Sequence, residues 1–373
     1  TEVILHDAVT SIGSWAFSGA DFQSISLPSS LKTIQANAFD GTQLQSISLP
    51  AGLTELGDSA FSYCSSLTGP VTIPSGITEI PTGLFTDCTA LTEVILHDAV
   101  TSIGDNAFVY TNLQSISLPS SLKTIGKAAF SVSSLKSISL PAGLTSLGES
   151  AFQNCGSLVG PVTIPAGITE IAAGLFNDCD ALTEVILHDG ITSIGDRAFY
   201  KTNLQSIRLP ENLNSIGVTA FWRAHNLAEV WLEGAAPSLG ADAFKDAGRD
   251  VTGGTRFYIQ YEQQASYDNS AAWSGFDLTI LGDPNAPLIE AFVLSTSLDA
   301  SSAVFSIHSH GEPSDASASV LVQHRSSLTE GDWTAVASAD VTESRDTETG
   351  VVTRSLTLGP SAEGGFYRLD YTA

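Results

Sequence analysis

The residues whose types come closest to acid/base or metal chemistry are three His-Asp pairs: His6-Asp7, His97-Asp98 and His188-Asp189. An imidazole beside a carboxylate can shuttle a proton or orient a metal. These pairs recur every 91 residues. If four stacked coils fill that interval at about 4.8 Å each, about 19 Å separates one pair from the next. They cannot share an ion or a substrate atom, and they read as polar turns. His308 and His310 face one side of a strand at period two, but two ligands do not complete a site. Cys64 and Cys88 recur one block later as Cys155 and Cys179. Side chains stacked in parallel suit a disulfide poorly, so buried thiols and disulfides both stay open. No histidine shares that column, so the three or four ligands of a zinc site are not met. The chain has no G-x-x-x-x-G-K-S/T loop, no H-E-x-x-H, no EF-hand spacing and no nucleophile elbow. The acidic stretch Asp340 to Glu348 reads as a solvated turn rather than a calcium loop. No enzyme activity, cofactor or metal is expected.

The elements that carry these residues follow from repetition at two periods. TEVILHDAVTSIG begins at Thr1 and Thr92, and TEVILHDGITSIG at Thr183. Within each block runs a unit of 22 to 24 residues, L-x-S-I-x-L-P-x-x-L-x-x-I-G-x-x-A-F. Its register is marked by Phe17, Phe39, Phe61, Phe85, Phe108, Phe130, Phe152, Phe176, Phe199, Phe221 and Phe244. That period predicts a solenoid, in which no unit buries its apolar face alone but neighbours bury one another's. In LQSISLP, Ile116 and Leu118 alternate with serines, which predicts a short half-buried strand ended by Pro119. Leu122 and Ile125 then point inward, Gly126 permits a turn, and Ala129 and Phe130 pack into the stack.

This unit resembles the BspA-like leucine-rich repeat family of surface proteins, over about residues 1 to 244. The resemblance implies a right-handed leucine-rich-repeat solenoid, mostly β with short helical turns, and adhesion or protein binding on exported proteins. It also implies a buried cysteine at the Cys64 position, where other coils carry Ala20, Thr42, Thr111, Ser133, Thr202 and Ala224. Residues 245–283 look like the family's ending and should cap the open apolar end. Tyr258, Tyr261, Tyr267, Trp273 and Phe276 are the expected packing residues of that cap. Residues 284–287 read as a linker. Residues 288–373 alternate strands with polar turns, which predicts a small antiparallel β-sandwich. Its W-containing stretch and closing Phe-Tyr-Arg-Leu are similar to short C-terminal domains of exported bacterial proteins, with Trp333 in the core.

A formal net charge of −25 over 373 residues argues against nucleic acid or an anionic membrane as partner. No apolar run is long enough to span a bilayer. The chain opens within a repeat and has no methionine, the mark of a piece cut from a longer precursor. No N-x-S/T sequon is present, so N-glycosylation is not expected. An extracellular or cell-surface location follows from the resemblance.

What remains is surface. Ser24 with Ser26, Ser46 with Ser48, Ser115 with Ser117 and Ser137 with Ser139 should form a hydroxyl ladder, extended by Thr72 and Thr163. Ile4, Ile95 and Ile186 interrupt it as exposed apolar points at a fixed interval. Near the array's end Arg208 and Trp231 replace the strand serine, and Trp222, Arg223 and His225 break the repeat. Seven of the fifteen basic residues lie between Arg197 and Arg256. Trp and Arg anchor interfaces, though packing against the cap would also account for them. Three functions compete: an adhesin-like binder of a protein or glycan through the strand face, a structural subunit that associates with its own copies, and a binder of an ordered lattice such as ice or polysaccharide.

Overall fold

In the computed structural model the described residues are 2–281 and the strands Val304–His310, Ser319–Arg325, Thr334–Ala335, Ala339–Arg345, Val351–Leu358 and Phe366–Thr372. The chain divides into two units, Thr1–Thr279 and Ile280–Ala373. The first is a β-solenoid of about twelve turns, in which each coil contributes three kinds of wall.

The first wall holds the strands of the L-x-S-I-x-L segment. Glu2–Ile4 pairs with Ser24–Ser26, Val71–Thr72 with Val94–Ile95, and Val162–Thr163 with Val185–Ile186, all in parallel. Toward the C-terminal end this wall widens into a four-stranded sheet, Ser206–Leu209, Glu229–Leu232, Arg256–Gln260 and Leu278–Leu281. The second wall is a parallel ladder of two-residue strands at the T/S-I step before each glycine. Glu79, Ser102, Thr124 and Ser146 lie in register there, as do Glu170, Ser193, Ser215 and Ser238. The inward residue of each step, such as Ile103, Ile125 or Ile194, is buried except at Ser238–Leu239, where Leu239 is half-buried.

The third wall carries the phenylalanines and differs from the helical turns expected. Asn37, Phe39 and Gly41 donate their N–H groups to Asp58, Ala60 and Ser62 of the next coil, at 2.9, 2.9 and 2.8 Å. The intervening Ala38, Asp40 and Thr42 donate within their own coil to the residue three back. Such alternation cannot arise in an α-helix, whose donors all point along its own axis. Two left-handed residues per coil create it, Asn37 (φ 58°) and Gly41 (φ 66°), then Ser59 and Tyr63, Asn106 and Tyr110, Ala128 and Val132, and onward to Asp242 and Asp246. Among the described residues the one α-helix is Gln264–Asp268, in the cap.

The phenylalanine rings stack from Phe17 to Phe244 with centroids 4.8–5.9 Å apart and planes within 18° of parallel. These are the distances of offset-stacked aromatics. Those from Phe39 to Phe221 are fully buried. Gly126 serves a different purpose from the turn expected of it. Its φ is not left-handed, but a Cβ there would lie 2.6 Å from the backbone nitrogen of Asp105 in the preceding coil. The glycine lets adjacent backbones approach.

The cap closes the stack with aromatics. Tyr267 and Trp273 are buried, their polar ends donating to the carbonyls of Gly234 (3.1 Å) and Pro237 (2.8 Å). Phe257 and Phe276 meet Phe244 edge-on. Tyr258 departs from the cap-packing role: strand alternation turns it outward, onto the first wall. In the second unit the described strands form two three-stranded antiparallel sheets. The linker 284–287, Trp333 and residues 346–348 lie outside the described residues.

Val132 exposes a cost of this turn. A β-branched residue is held at φ 56° at the repeat position that the first two coils fill with Gly19 and Gly41, and the left-handed region costs an L-residue about 1–2 kcal/mol. Val132→Gly should raise stability by about 1 kcal/mol, and Gly41→Val should lower it by a similar amount. Urea unfolding followed by circular dichroism checks both signs.

Candidate interaction surface

On the first wall Arg208, Trp231 and Tyr258 are Cα partners in three successive coils. Ile186 precedes Arg208 by one 22-residue step, and Gln205 donates to Thr183 across the same step. One outward column therefore runs Thr163, Ile186, Arg208, Trp231, Tyr258. The Arg208 guanidinium lies 4.9 Å from the centre of the Trp231 ring. On its other side Trp231 stacks on Tyr258 at 4.3 Å and 17°. Both indole faces are thus covered and an edge points to solvent. Glu233 accepts from Arg208 at 3.0 Å. In the adjacent column, Glu229 accepts from Arg256 at 3.1 Å and from the Tyr258 hydroxyl at 3.5 Å. Burial and the Glu229 charge raise the Tyr258 pKa. Exposed ion pairs of this kind add little stability, but they hold the column's geometry.

Trp222 and Arg223 belong to the third wall and not to this column. Trp222 meets Tyr200 edge-on at 5.8 Å, and its indole donates to Asp246 at 3.2 Å. Arg223 and Lys245 lie 5.5 and 5.1 Å from its ring centre. Nearby, Lys201 pairs with Asp178 at 2.9 Å, which raises the Lys201 pKa. The replacements near the end of the array thus split into two cation–aromatic clusters on two walls. Ile4, Ile95 and Ile186 are 74, 43 and 44% exposed and stay one block apart. Ser46, Ser48, Ser115, Ser117, Ser137 and Ser139 fall outside the regular strands. The longer hydroxyl columns lie on the second wall, Ser102–Thr124–Ser146 and Ser193–Ser215–Ser238, headed by Glu79 and Glu170. The signal for them was the T/S residue before each I-G step.

Residues 1–69, 69–160 and 159–250 match the model of the BspA type leucine rich repeat region, in six copies. The chain belongs to the BspA-type leucine-rich repeat family. Among solved structures it is similar to a leucine-rich repeat protein from Bacteroides ovatus, at 26% identity over 75% of this chain and 84% of that one, with a TM-score of 0.56. It also matches the pneumococcal vaccine antigen PcpA, at 20% identity over 75% and 78% of the two chains, with a TM-score of 0.48. No curated protein matches it.

In this BspA-type array the histidines and cysteines serve the stack. His97 Nε2 lies 2.9 Å from the Ile77 carbonyl, and His188 Nε2 3.0 Å from that of Ile168, one coil back. Each Nδ1 accepts from the backbone N–H two residues on, in Ala99 and Gly190. The pairing fixes the tautomer as Nε2–H. The four thiols are free and buried, and each donates to a phenylalanine carbonyl at 3.0–3.1 Å: Cys64 to Phe39, Cys88 to Phe61, Cys155 to Phe130 and Cys179 to Phe152. Among the described residues no three metal-ligating side chains converge, and no helix is long and apolar enough to cross a membrane.

Burial pushes the Cys155 thiol up to about 11, and Cys88 and Cys179 well above the ordinary thiol range. Between the unfolded thiol value near 9 and these folded values, the native state keeps protons that the unfolded chain releases. Stability should therefore fall as pH rises from about 9 through about 11. Denaturant unfolding at stepped pH measures this. At pH 8 the native thiols should resist iodoacetamide and react once unfolded.

Proposed function

We propose that this chain is a non-enzymatic, extracellular or cell-surface binding protein whose first wall docks a protein partner. The single observation that carries the reading is the column Ile186–Arg208–Trp231–Tyr258, in which an aliphatic, a cation and two aromatics stand in register on an exposed sheet. Trp, Tyr and Arg supply most of the binding energy at protein interfaces, and preorganised side chains lose less entropy on docking. A glycan stacking on Trp231 is disfavoured, since Arg208 and Tyr258 occupy both ring faces. Surface placement rests on what the family resemblance implies. Self-association is the second reading, favoured by Ile4, Ile95 and Ile186 at identical positions in three blocks. Interruption of the hydroxyl columns by Glu55, Glu79 and Glu170 removes support from the lattice reading.

Sedimentation velocity over a wide concentration range separates the first two. A monomer is expected; ordered oligomers would transfer the function to self-assembly. The monomer is then tested against a panel of immobilised extracellular proteins. Arg208→Ala with Trp231→Ala should weaken a saturable interaction about 30-fold or more, as loss of a hot spot does, with unchanged circular dichroism. Unchanged binding by the double variant would remove the strand column from the function.

A further inference from the structure

A polar groove of about 560 Å³ lies where the third wall leads into the first, across the last coils of the array. It is lined by Lys201, Arg223 and Arg249, by Asp180 and Asp250, and by the amides of Asn203 and Asn226, which hydrogen-bond to one another. Eight of the eleven lysines and arginines in residues 2–281 have a hydrogen-bond acceptor: a carboxylate, a backbone carbonyl or a glutamine oxygen. The three without are Arg197, Arg223 and Arg249, and two of these line this groove. Unpaired guanidinium groups are unexpected in a chain with 40 acidic and 15 basic residues. His225, also in the lining, has its Nδ1 3.7 Å from Asp250 and its Nε2 buried with no partner. Among the described residues the polar capacity of the groove is not used up.

The duplication supplies an internal control. Counted from the marker phenylalanines, the positions of Asp180, Lys201, Arg223, His225 and Arg249 are held one block earlier by Thr89, Tyr110, Val132, Ser134 and Ser157. None of these is charged. Thr202 and Asn203 repeat Thr111 and Asn112 unchanged. The same repeat positions are therefore filled one block earlier without any of the charges, and the charged set is an addition to one place.

We infer that this groove is a second binding site, distinct from the strand column, and that it takes a carboxylate-bearing sugar residue. Arg223 and Arg249 each offer a planar fork for a carboxylate. Asp180 and Asp250 need hydrogen-bond donors, which sugar hydroxyls supply and an acidic peptide side chain does not. The Asn203 and Asn226 amides, donor and acceptor at once, suit vicinal hydroxyls.

Isothermal titration with an oligogalacturonate, a sulfated oligosaccharide, a neutral galactooligosaccharide and poly-glutamate tests the assignment. Arg223→Asn and Arg249→Ser are chosen because Asn154 and Ser157 hold those repeat positions elsewhere in the chain. The oligogalacturonate should bind saturably, at least tenfold more tightly than the neutral sugar, and the double variant should lose at least tenfold. Arg197→Ala and the Arg208→Ala/Trp231→Ala variant should bind as the parent does, which separates this site from the strand column. Equal binding of the neutral sugar, preference for the sulfated sugar or poly-glutamate, no binding by any probe, or an unchanged double variant would each overturn the inference.

Discussion

Contact between one coil and the next is the constraint on which everything else in the array depends. A single unit of 22 to 24 residues contributes one phenylalanine, a few leucines and isoleucines, and two strands of two to four residues. None of these is stable alone, since a strand of two residues has no ladder and a lone ring has no cover. Stacking supplies both at once. The rings lie 4.8–5.9 Å apart while backbone N–H groups on all three walls reach the adjacent coil. Glycines at I-G steps such as Gly104, Gly126 and Gly148 answer the same demand, because a Cβ at those positions would push two backbones apart. Even His97, His188 and the thiols each direct a donor to a carbonyl in an adjacent coil.

This dependence frees the outward positions. Inward residues must match their neighbours above and below, whereas outward ones need only tolerate a strand or a turn. Three blocks can therefore share one core and still differ in chemistry. Serine and threonine fill most outward strand sites at little cost. Against that uniform ground, Arg208, Trp231, Trp222 and Arg223 stand out because no packing demand selects them. Trp231 and Tyr258 contact each other only because their coils are adjacent and in register. The scaffold turns sequence separation into spatial address.

Much of this was legible in the residues. The phenylalanine interval, the alternating Ile and Ser, and the aromatic ending gave the solenoid, its inward positions and the place of the cap. The third wall was not legible, because its left-handed positions carry no common residue type. Glycine, which adopts this conformation without strain, stands at Gly19, Gly41, Gly83 and Gly174, but Ala128, Val132 and Thr219 hold it under tertiary constraint. The aromatic character of Tyr258 suggests a buried cap residue, while the strand's alternation, with Phe257 and Ile259 inward, turns it outward. Arg208 and Trp222 lie fourteen residues apart in sequence yet on different walls, which only the fold of the coil decides.

Charge is where the stack is least permissive. Repetition places like residues about 4.8 Å apart from coil to coil, so a run of one charge in one column would repel itself. The chain answers by matching several cations to acids in an adjacent coil: Lys127 to Glu149, Lys201 to Asp178, Arg256 to Glu229. Arg208 follows the same rule with Glu233, and stacking on Trp231 uses its remaining face. Cations held this way are fixed in place before any partner arrives, which suits a preorganised docking face. Arg223 and Arg249 break the rule, at repeat positions that are uncharged one block earlier. An arginine left without a carboxylate in so acidic a chain keeps its full demand for an anion. The array thus separates two kinds of surface: a strand column whose charges are matched, and a groove in which two arginines, Arg223 and Arg249, are left without a carboxylate among the described residues.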